Sequence, residues 1–308
     1  EKLPKVDTVN ITGGEPFVRE DIEDIVKILF TKTKRIVFST SGYYSDRIIQ
    51  LARKYPQLGF RISIEGLSCK NDELRGRPGG FDKGLKTLLE LRRMGVKDIG
   101  FGITVSNNNS SDMLQLYELN RNLKMEFATA SFHNSFYFHK YDNKITNIDE
   151  VCGNFDELIQ RLMNEKHPKS WFRAFFNLGL INYVKGGRRM LPCEAGTENF
   201  FIDPYGNVLP CNGMEESCWF DTMGNLHDVE DFMTLWTGAK AKAVRDKVAN
   251  CPKSCWMIGS ASPVMKKYIT KVAPWVLKNK LKVMRGGRVD TTCIPFFHVG
   301  NNDKQGLR

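Results

Sequence analysis

The first 130 residues alternate short apolar runs with amphipathic segments at helical spacing. Segments such as Asp21–Phe30 and Phe81–Met94 place apolar residues three and four positions apart, which is typical of a helix with one buried face. Strands that alternate with helices of about ten to fifteen residues predict βαβ units and a parallel sheet. The predicted strands are Val6–Thr12, Arg35–Ser41, Gly59–Glu65, Ile99–Val105 and Met125–Thr129, and the other predicted helices are Asp46–Lys54 and Ser110–Lys124, with Ser110 or Ser111 as N-cap.

The pattern changes after residue 130. Asn154–Glu165 and Ser170–Val184 have helical spacing, and Asp231–Val248 has it again further on. Between them, Pro204-Tyr205-Gly206 separates two short strand-like runs, which predicts a hairpin. Gly186-Gly187 marks a boundary. The predicted domains are therefore residues 1–185, 186–260 and 261–308.

Composition and charge narrow the possible classes of protein. A chain of 308 residues with 41% hydrophobic and 11% aromatic side chains is not intrinsically disordered, and eight cysteines are too few for a disulfide scaffold. The last 62 residues hold 12 of the 45 basic side chains and only two of the 35 acidic ones, so the first 246 hold 33 of each. The formal charge of +10 therefore belongs to a basic tail on a neutral body.

The string Thr12-Gly13-Gly14-Glu15-Pro16 stands where the first predicted strand ends. Ligands of parallel sheets bind at the carboxyl ends of the strands, and paired glycines let a ligand approach the backbone closely. Glu15 adds a carboxylate suited to a cationic ammonium group. An ordinary strand-to-helix turn contains the same residue types, so the residues alone leave both interpretations open.

Four cysteines occur in two pairs around the predicted hairpin and helix. Cys193 and Cys211 flank the hairpin with 17 residues between them, and Cys251 and Cys255 follow the helix with three between them. A hairpin followed by a helix can bring both pairs to one point, and four thiolates suit either an Fe–S cluster or zinc. The other four are Cys69 and Cys152, interpreted as packed thiols, and Cys218 and Cys293, which have no assigned role.

The order of these motifs resembles the radical S-adenosylmethionine (SAM) enzymes over about residues 6–258. Residues 12–16 resemble the GGE motif, which in that family contacts the methionine amino group of SAM. The resemblance implies that Thr12, Gly13, Gly14 and Glu15 bind SAM, that Ser63 contacts its ribose and that Arg75 approaches its carboxylate. Further matching strings are Ser39–Gly42, Ser63–Gly66, Asn71–Gly76 and Thr104–Asn107.

The cysteine region resembles the C-terminal module called SPASM, and more closely its shortened twitch form. The resemblance implies an auxiliary [4Fe–4S] cluster on Cys193, Cys211, Cys251 and Cys255. The final pair is C-x3-C here, whereas C-x2-C is usual in the family. Cys218 and Cys293 are alternative ligands.

The family's C-x3-C-x2-C motif is absent from these 308 residues. We expect the sequence to begin after the first strand and helix of the barrel, so that the second [4Fe–4S] cluster, which cleaves SAM, belongs to a preceding segment. The implied fold is α/β: a partial (β/α)6 barrel that lacks its first β/α unit, a small α+β cluster module and a basic helical tail.

The resemblance implies a radical SAM oxidoreductase or modifying enzyme in which a deoxyadenosyl radical abstracts hydrogen from a small-molecule or lipid-linked substrate. The auxiliary cluster would transfer an electron or bind the substrate, and a protein such as flavodoxin or ferredoxin would supply reducing electrons. Two alternatives stay open: a zinc-stabilised binding protein with the same four cysteines, and a non-catalytic Fe–S electron-transfer partner. The expected location is the cytoplasm, with peripheral membrane binding as an option.

The basic tail has its own helical pattern. Lysines alternate with the apolar residues, Trp275 lies among them, and Pro274 predicts a kink or restart. A basic amphipathic helix favours an anionic membrane surface as partner of residues 263–288. The alternative is a terminal helix packed on the barrel with a solvated lysine face, and nucleic acid is not expected as a partner. The apolar positions are Val264, Met265, Tyr268, Ile269, Val272 and Val276.

Overall fold

The computed structural model describes residues 2–135, 138–214 and 221–297, which divide into two compact units. The first unit covers Leu3–Ala130 and the second begins at Ser131. Two helices that the predicted boundary at residue 185 assigned to the barrel domain lie in the second unit, because they pack against the C-terminal helix.

The first unit is a curled parallel sheet in the order β1-β2-β3-β4-β5 with helices between its strands, which confirms the predicted partial barrel. Its elements are β1 (Thr8–Ile11), a 3-10 turn (Pro16–Val18), α1 (Ile22–Phe30), β2 (Arg35–Thr40), α2 (Ser45–Lys54), β3 (Gly59–Ser63), α3 (Cys69–Arg75), α4 (Gly80–Arg93), β4 (Ile99–Val105), α5 (Ser110–Asn122) and β5 (Glu126–Ser131).

Aromatic side chains form the centre of this unit. Phe17, Phe38 and Phe60 are fully buried, and the ring centroid of Phe38 lies 5.0 Å from that of Phe17 and 5.7 Å from that of Phe60. At the edge of the sheet, a Cβ on Gly100 would lie 1.7 Å from the carbonyl oxygen of Glu126. Glycine at this position therefore permits the close approach of β4 and β5.

The second unit combines helices with a three-stranded sheet in which β7 pairs antiparallel with β6 and β8. The hairpin forms as predicted, whereas the single helix predicted over Asp231–Val248 is two helices, because the backbone is extended at Gly238. The elements are α6 (Ile148–Asn164), α7 (Pro168–Val184), β6 (Phe201–Ile202), β7 (Asn207–Leu209), β8 (Gly224–Asn225), α8 (Phe232–Thr237), α9 (Ala239–Ala249), α10 (Ile258–Lys267) and α11 (Ile269–Met284).

The tail forms the last two helices of this unit. The chain restarts at Tyr268, whereas Pro274 lies inside α11. Trp275 packs edge-on against Phe175 of α7 with 5.3 Å between ring centroids, so it faces the protein. Within the described ranges, every helix falls short of the length and apolar character of a membrane span. Of the predicted apolar stripe, all members are buried except Ile269, which is 42% exposed.

Candidate functional site

The loop Thr12–Pro16 leaves β1 at the edge of the sheet where the parallel strands have their carboxyl ends. Gly13 has a φ of 142°, a conformation that side-chain-bearing residues rarely adopt. Thr12, Gly13 and Gly14 are exposed, and a Cβ built on either glycine meets nothing within 4 Å. The backbone of the two glycines therefore borders open space that a ligand can enter.

The carboxylate of Glu15 is held by four donors from its own unit. Its Oε1 accepts hydrogen bonds from Thr40 Oγ1 at 2.6 Å and the backbone N–H of Phe17 at 3.2 Å. Its Oε2 accepts from the backbone N–H of Ser41 at 2.8 Å and from Ser41 Oγ at 2.5 Å. A carboxylate has about four lone-pair sites, so these donors use all of them. Glu15 thus ties the end of β1 to the end of β2, and its predicted contact with an ammonium group stays a prediction.

Of the other two predicted SAM contacts, Arg75 contacts Glu65, a largely buried carboxylate that lies two residues after Ser63 and was not among the predicted site residues. Ser63 ends β3 and Arg75 ends α3. The Nη1 of Arg75 lies 3.2 Å from Oε1 of Glu65, and the backbone N–H of Thr104 donates to Oε2 of Glu65 at 2.7 Å. Burial raises the pKa of Glu65, although both of these contacts oppose the shift. Perturbed carboxyl groups cluster at functional sites, and the position of Glu65 directly after a strand was the available signal.

Asn109 precedes α5, one residue before the predicted N-cap, and it makes no capping bond to that helix. Instead its Oδ1 accepts from the backbone N–H of Ser106 at 2.7 Å, and its Nδ2 donates to the carbonyl oxygens of Glu65 at 2.8 Å and Thr104 at 3.0 Å. The amide therefore fixes the ends of β3 and β4 relative to each other, and with them the buried Glu65.

Two cations lie over one aromatic ring at the same edge of the sheet. The guanidinium carbon of Arg77 is 3.5 Å from the ring centroid of Tyr43, and Nζ of Lys83 is 3.9 Å from it. The pKa of the Tyr43 hydroxyl is lowered, first by a hydrogen bond with Arg77 and then by the charges of both cations. This edge is therefore locally electropositive, which suits an anionic group of a ligand.

The four cysteines predicted as ligands are brought together in the second unit. Cys211 follows β7 and is largely buried, and its thiol pKa rises to about 12. Burial is the main cause, the negative charges of Cys255, Cys193 and Cys251 add to it, and a hydrogen bond with Gly213 opposes it. The four thiols therefore lie within electrostatic range of one another.

None of the seven cysteines that the structure describes is in a disulfide. Cys152 is buried in α6 as predicted, whereas Cys69 is exposed at the first turn of α3, so its interpretation as a packed thiol is wrong. Cys293 is exposed, and Cys218 lies outside the described residues. Across the described part of the chain, no group of three or more His, Cys, Asp or Glu side chains is arranged to hold a metal ion.

The segment after Cys193 is anchored to the tail because two of its carboxylates contact a lysine and a tyrosine of the tail. Glu194 accepts a hydrogen bond from the hydroxyl of Tyr268 at 2.7 Å. The Nζ of Lys267 lies 3.4 Å from Glu194 and 2.8 Å from Glu198. Burial lowers the pKa of Lys267, but the two carboxylates outweigh it and the net pKa is raised. Part of the basic tail therefore has a structural role beside the cysteines.

Family models match both halves of this arrangement. The radical SAM superfamily model matches residues 1–119, and the SPASM iron–sulfur cluster-binding domain matches residues 193–257, a range that contains the four cysteines. Together the two matches correspond to a radical SAM enzyme with a C-terminal SPASM module, as the motif order predicted.

Curated relatives include proteins named as a maturation protein, a maturase and a synthase. The chain is 25% identical to the sporulation killing factor maturation protein SkfB of Bacillus subtilis over 79% of this chain and 56% of the relative. It is 30% identical to the mycofactocin maturase MftC of Mycolicibacterium smegmatis over 66% of this chain and 51% of the relative. It is 32% identical to the Fe-coproporphyrin III synthase of Methanosarcina barkeri over 35% of this chain and 27% of the relative. The chain thus spans between about a quarter and about half of these relatives.

Solved structures support the fold. The radical SAM protein anSMEcpe with bound SAM and a peptide aligns over 90% of this chain and 86% of that chain, with a TM-score of 0.56 and 13% identity. SuiB of Streptococcus suis bound to SAM aligns over 77% and 56%, with a TM-score of 0.56 and 18% identity.

SAM and [4Fe–4S] clusters are the cofactors that the two matched domains identify. The residues present fit SAM and the auxiliary cluster, whereas the C-x3-C-x2-C ligands of the SAM-cleaving cluster are not among these 308 residues. The open backbone of Gly13 and Gly14 leaves room for a ligand at the carboxyl edge of the sheet. Four coupled thiols are the soft donor set that an Fe–S cluster takes.

Proposed function

We propose that the protein is a radical SAM enzyme whose second unit binds an auxiliary [4Fe–4S] cluster through Cys193, Cys211, Cys251 and Cys255. The observation that supports the proposal is that all four cysteines lie inside the SPASM match, where Cys193, Cys251 and Cys255 are near enough to Cys211 for their charges to act on its thiol. A buried thiol with a pKa of about 12 is protonated at neutral pH unless a metal replaces its proton. When bound, the SAM-cleaving cluster and SAM supply a deoxyadenosyl radical for hydrogen abstraction.

In this proposal the chain's own residues bind SAM and orient it. We assign the exposed backbone of Thr12, Gly13 and Gly14 to the methionine part of SAM, with Glu15 as the clamp that keeps the loop in place. Ser63 is assigned to the ribose. Arg75 is assigned to the SAM carboxylate, since Glu65 contacts its Nη1 and the guanidinium has further N–H donors.

Anaerobic reconstitution with iron and sulfide, followed by metal analysis and visible absorption, tests the cluster. We expect about four irons per chain and a broad band near ~400 nm, as thiolate-bound clusters show. One bound zinc with no absorption band would instead support the zinc-stabilised binding protein.

The substrate class we favour is a peptide rather than the lipid-linked small molecule that the tail suggested. One relative is named a maturase and another a maturation protein, and SuiB has also been solved bound to its precursor peptide SuiA, with a TM-score of 0.52 over 76% of this chain. A reducing partner such as flavodoxin or ferredoxin would supply the electrons. Release of deoxyadenosine by the full-length protein, measured with separate peptide and small-molecule fractions of a cell extract, should increase with the peptides. An increase with the small molecules alone would contradict this substrate class.

We further propose that the outer face of α11 binds an anionic membrane surface. Leu277, Leu281 and Met284 are 56%, 52% and 70% exposed, and their spacing of four and three residues places them on one face of the helix. Apolar side chains bordered by cations are typical of helices that lie in a lipid interface, and the positive charge favours anionic lipids. The exposed cations on neighbouring positions are Lys278, Lys282 and Arg285.

Co-sedimentation with vesicles tests this surface. We expect binding to vesicles that contain phosphatidylserine and not to vesicles of phosphatidylcholine alone. Reversing one charge with Lys282→Glu changes the charge by two and should weaken binding about thirty-fold, because each unit of charge near the surface contributes about 1 kcal/mol. Lys247→Glu, on an exposed position of α9, is the matched control. Equal binding by the two variants would contradict the proposal.

A further inference from the structure

Arg189 joins the two segments that bear the predicted cluster ligands. It lies four residues before Cys193. Its Nη1 donates to the carbonyl oxygen of Cys255, and its Nη2 donates to that of Ser260 at 3.1 Å. A cationic side chain therefore lies directly against the backbone of one ligand while its own backbone leads into another.

One N–H of this guanidinium is unsatisfied. The Nε of Arg189 is buried and has no hydrogen-bond acceptor among the described residues. Burying an unpaired donor on a charged group is costly, so such an atom indicates a missing acceptor. The guanidinium carbon lies 5.1 Å from the ring centroid of Trp256, which is itself 3% exposed.

Arg245 is a second arginine beside a tryptophan in the same unit, and it shows what a satisfied arginine looks like there. Its guanidinium carbon lies 4.3 Å from the ring centroid of Trp236. Its Nε donates to the carbonyl oxygen of Gly196 at 2.7 Å, and its Nη2 to that of Trp236 at 2.9 Å. The unsatisfied Nε–H of Arg189 is therefore not a general consequence of packing an arginine on a tryptophan.

We infer that the Nε–H of Arg189 donates to the anionic Fe–S cluster held by the four cysteines, and that Arg189 thereby raises the reduction potential of this cluster. The inference rests on the proposed function. Hydrogen bonds to the sulfurs and nearby charge set the potentials of Fe–S clusters, and a cation stabilises the reduced form, which carries one more negative charge.

Potentiometric titration of the reconstituted auxiliary cluster, followed by electron paramagnetic resonance, tests the inference. Arg189→Met removes the charge and the donor at similar length. We expect an about ten-fold shift of the one-electron equilibrium toward the oxidised cluster, which is a fall of ~59 mV in midpoint potential. Arg189→Lys keeps the charge without the Nε donor and should shift the potential less, in the same direction.

Arg245→Met is the matched control. It removes a cation from the same unit whose Nε is already paired, so it should lower stability and leave the potential unchanged. An unchanged potential in both Arg189 variants would overturn the inference. If Arg189→Met takes up less iron than the wild type, Arg189→Lys decides by itself, and a wild-type potential there overturns the inference. Failure of the wild type to bind about four irons would instead count against the proposed function.

Discussion

The two candidate sites differ in how their polar groups are satisfied. Around the loop after β1, the carboxylate of Glu15 accepts four hydrogen bonds, so donors and acceptor are matched. Around the cysteines, the pKa of Cys211 is raised by burial and by the charges of Cys193, Cys251 and Cys255, and the Nε of Arg189 has no acceptor in the described residues. The first site is satisfied within the polypeptide, whereas we expect a metal group to complete the second.

This difference indicates two ways of preparing a cofactor site. The barrel loop is preorganised by hydrogen bonds to the next strand, so a ligand binds to backbone that is already fixed. Under the proposed function a cluster replaces the thiol protons and links the cysteine loops, so the stability of that unit should depend on metal.

The largest expected effect comes from removing one cluster ligand. Cys211→Ser takes away the thiol on which the other three act and should abolish most iron binding and the associated absorption after reconstitution. Cys293→Ser is the control. Cys293 is exposed, and the sequence left it as an alternative ligand, so we expect this variant to keep its iron. Four irons in the Cys211 variant and loss of iron in the Cys293 variant would reverse the assignment.

The next effect concerns the clamp of the barrel loop. Glu15→Gln replaces one carboxylate oxygen by an amino group, so two of the four donors lose their acceptor. We expect the free energy of unfolding to fall by about 2–3 kcal/mol, since hydrogen bonds to charged groups contribute about 1.5–3 kcal/mol each and partial relaxation recovers some of the loss. Urea denaturation measures it, with Glu20→Gln at an exposed position as control. SAM binding by calorimetry should weaken in the same variant.

A pH titration of the metal-free protein separates the two sites further. The folded-state pKa of Cys211 is about 12 against an ordinary 9.0, so the unfolded chain loses this proton first as pH rises. Stability from this group is fully present below pH 9 and is lost progressively toward pH 12. Between pH 8.5 and 10.5 the expected loss is about 2 kcal/mol, by 1.36 kcal/mol for each pKa unit.

Denaturant melts at several pH values under a phosphine reductant measure this slope. Metal-free Cys211→Ser lacks the thiol and should show about 2 kcal/mol less pH dependence than the wild type over this interval. The iron-loaded wild type should also lack this contribution, because the thiolate is then bound to metal. Identical slopes in all three samples would show that Cys211 does not contribute to the pH dependence.

Hydrophobic periodicity was sufficient for the elements with strong one-sided burial. The strand predicted at Arg35–Ser41 is Arg35–Thr40, and the helix predicted at Asp21–Phe30 is Ile22–Phe30. Helix α3 was missed because its seven residues are polar except Cys69 and Leu74, so no apolar period exists. The break at Gly238 was missed because the apolar spacing continues across it.

Site residues could be predicted where they form a motif along the sequence. They could not be predicted where their contacts depend on how two strands are aligned. Cysteine spacing around the predicted hairpin and helix indicated that two pairs can meet, and their role as a ligand set stays a prediction. The partners of Glu15 were not predictable, since Thr40 and Ser41 lie 25 and 26 residues away and meet it only when β1 and β2 are aligned. The same holds for Arg189, whose acceptor on Cys255 lies 66 residues away.

The smallest expected effect comes from Tyr268→Phe, which tests whether side-chain hydrogen bonds also hold the cysteine loops. Tyr268→Phe keeps a ring that is 6% exposed and removes only the hydroxyl that donates to Glu194 beside Cys193. Lys267 still lies 3.4 Å from that carboxylate, so the metal-free protein should lose only about 1 kcal/mol. Tyr205→Phe, at a side chain 76% exposed, is the control and should lose nothing measurable. If metal rather than this bond holds the loop, the loss in urea denaturation should shrink after iron loading, whereas an equal loss in both forms would show that the second site is as preorganised as the first.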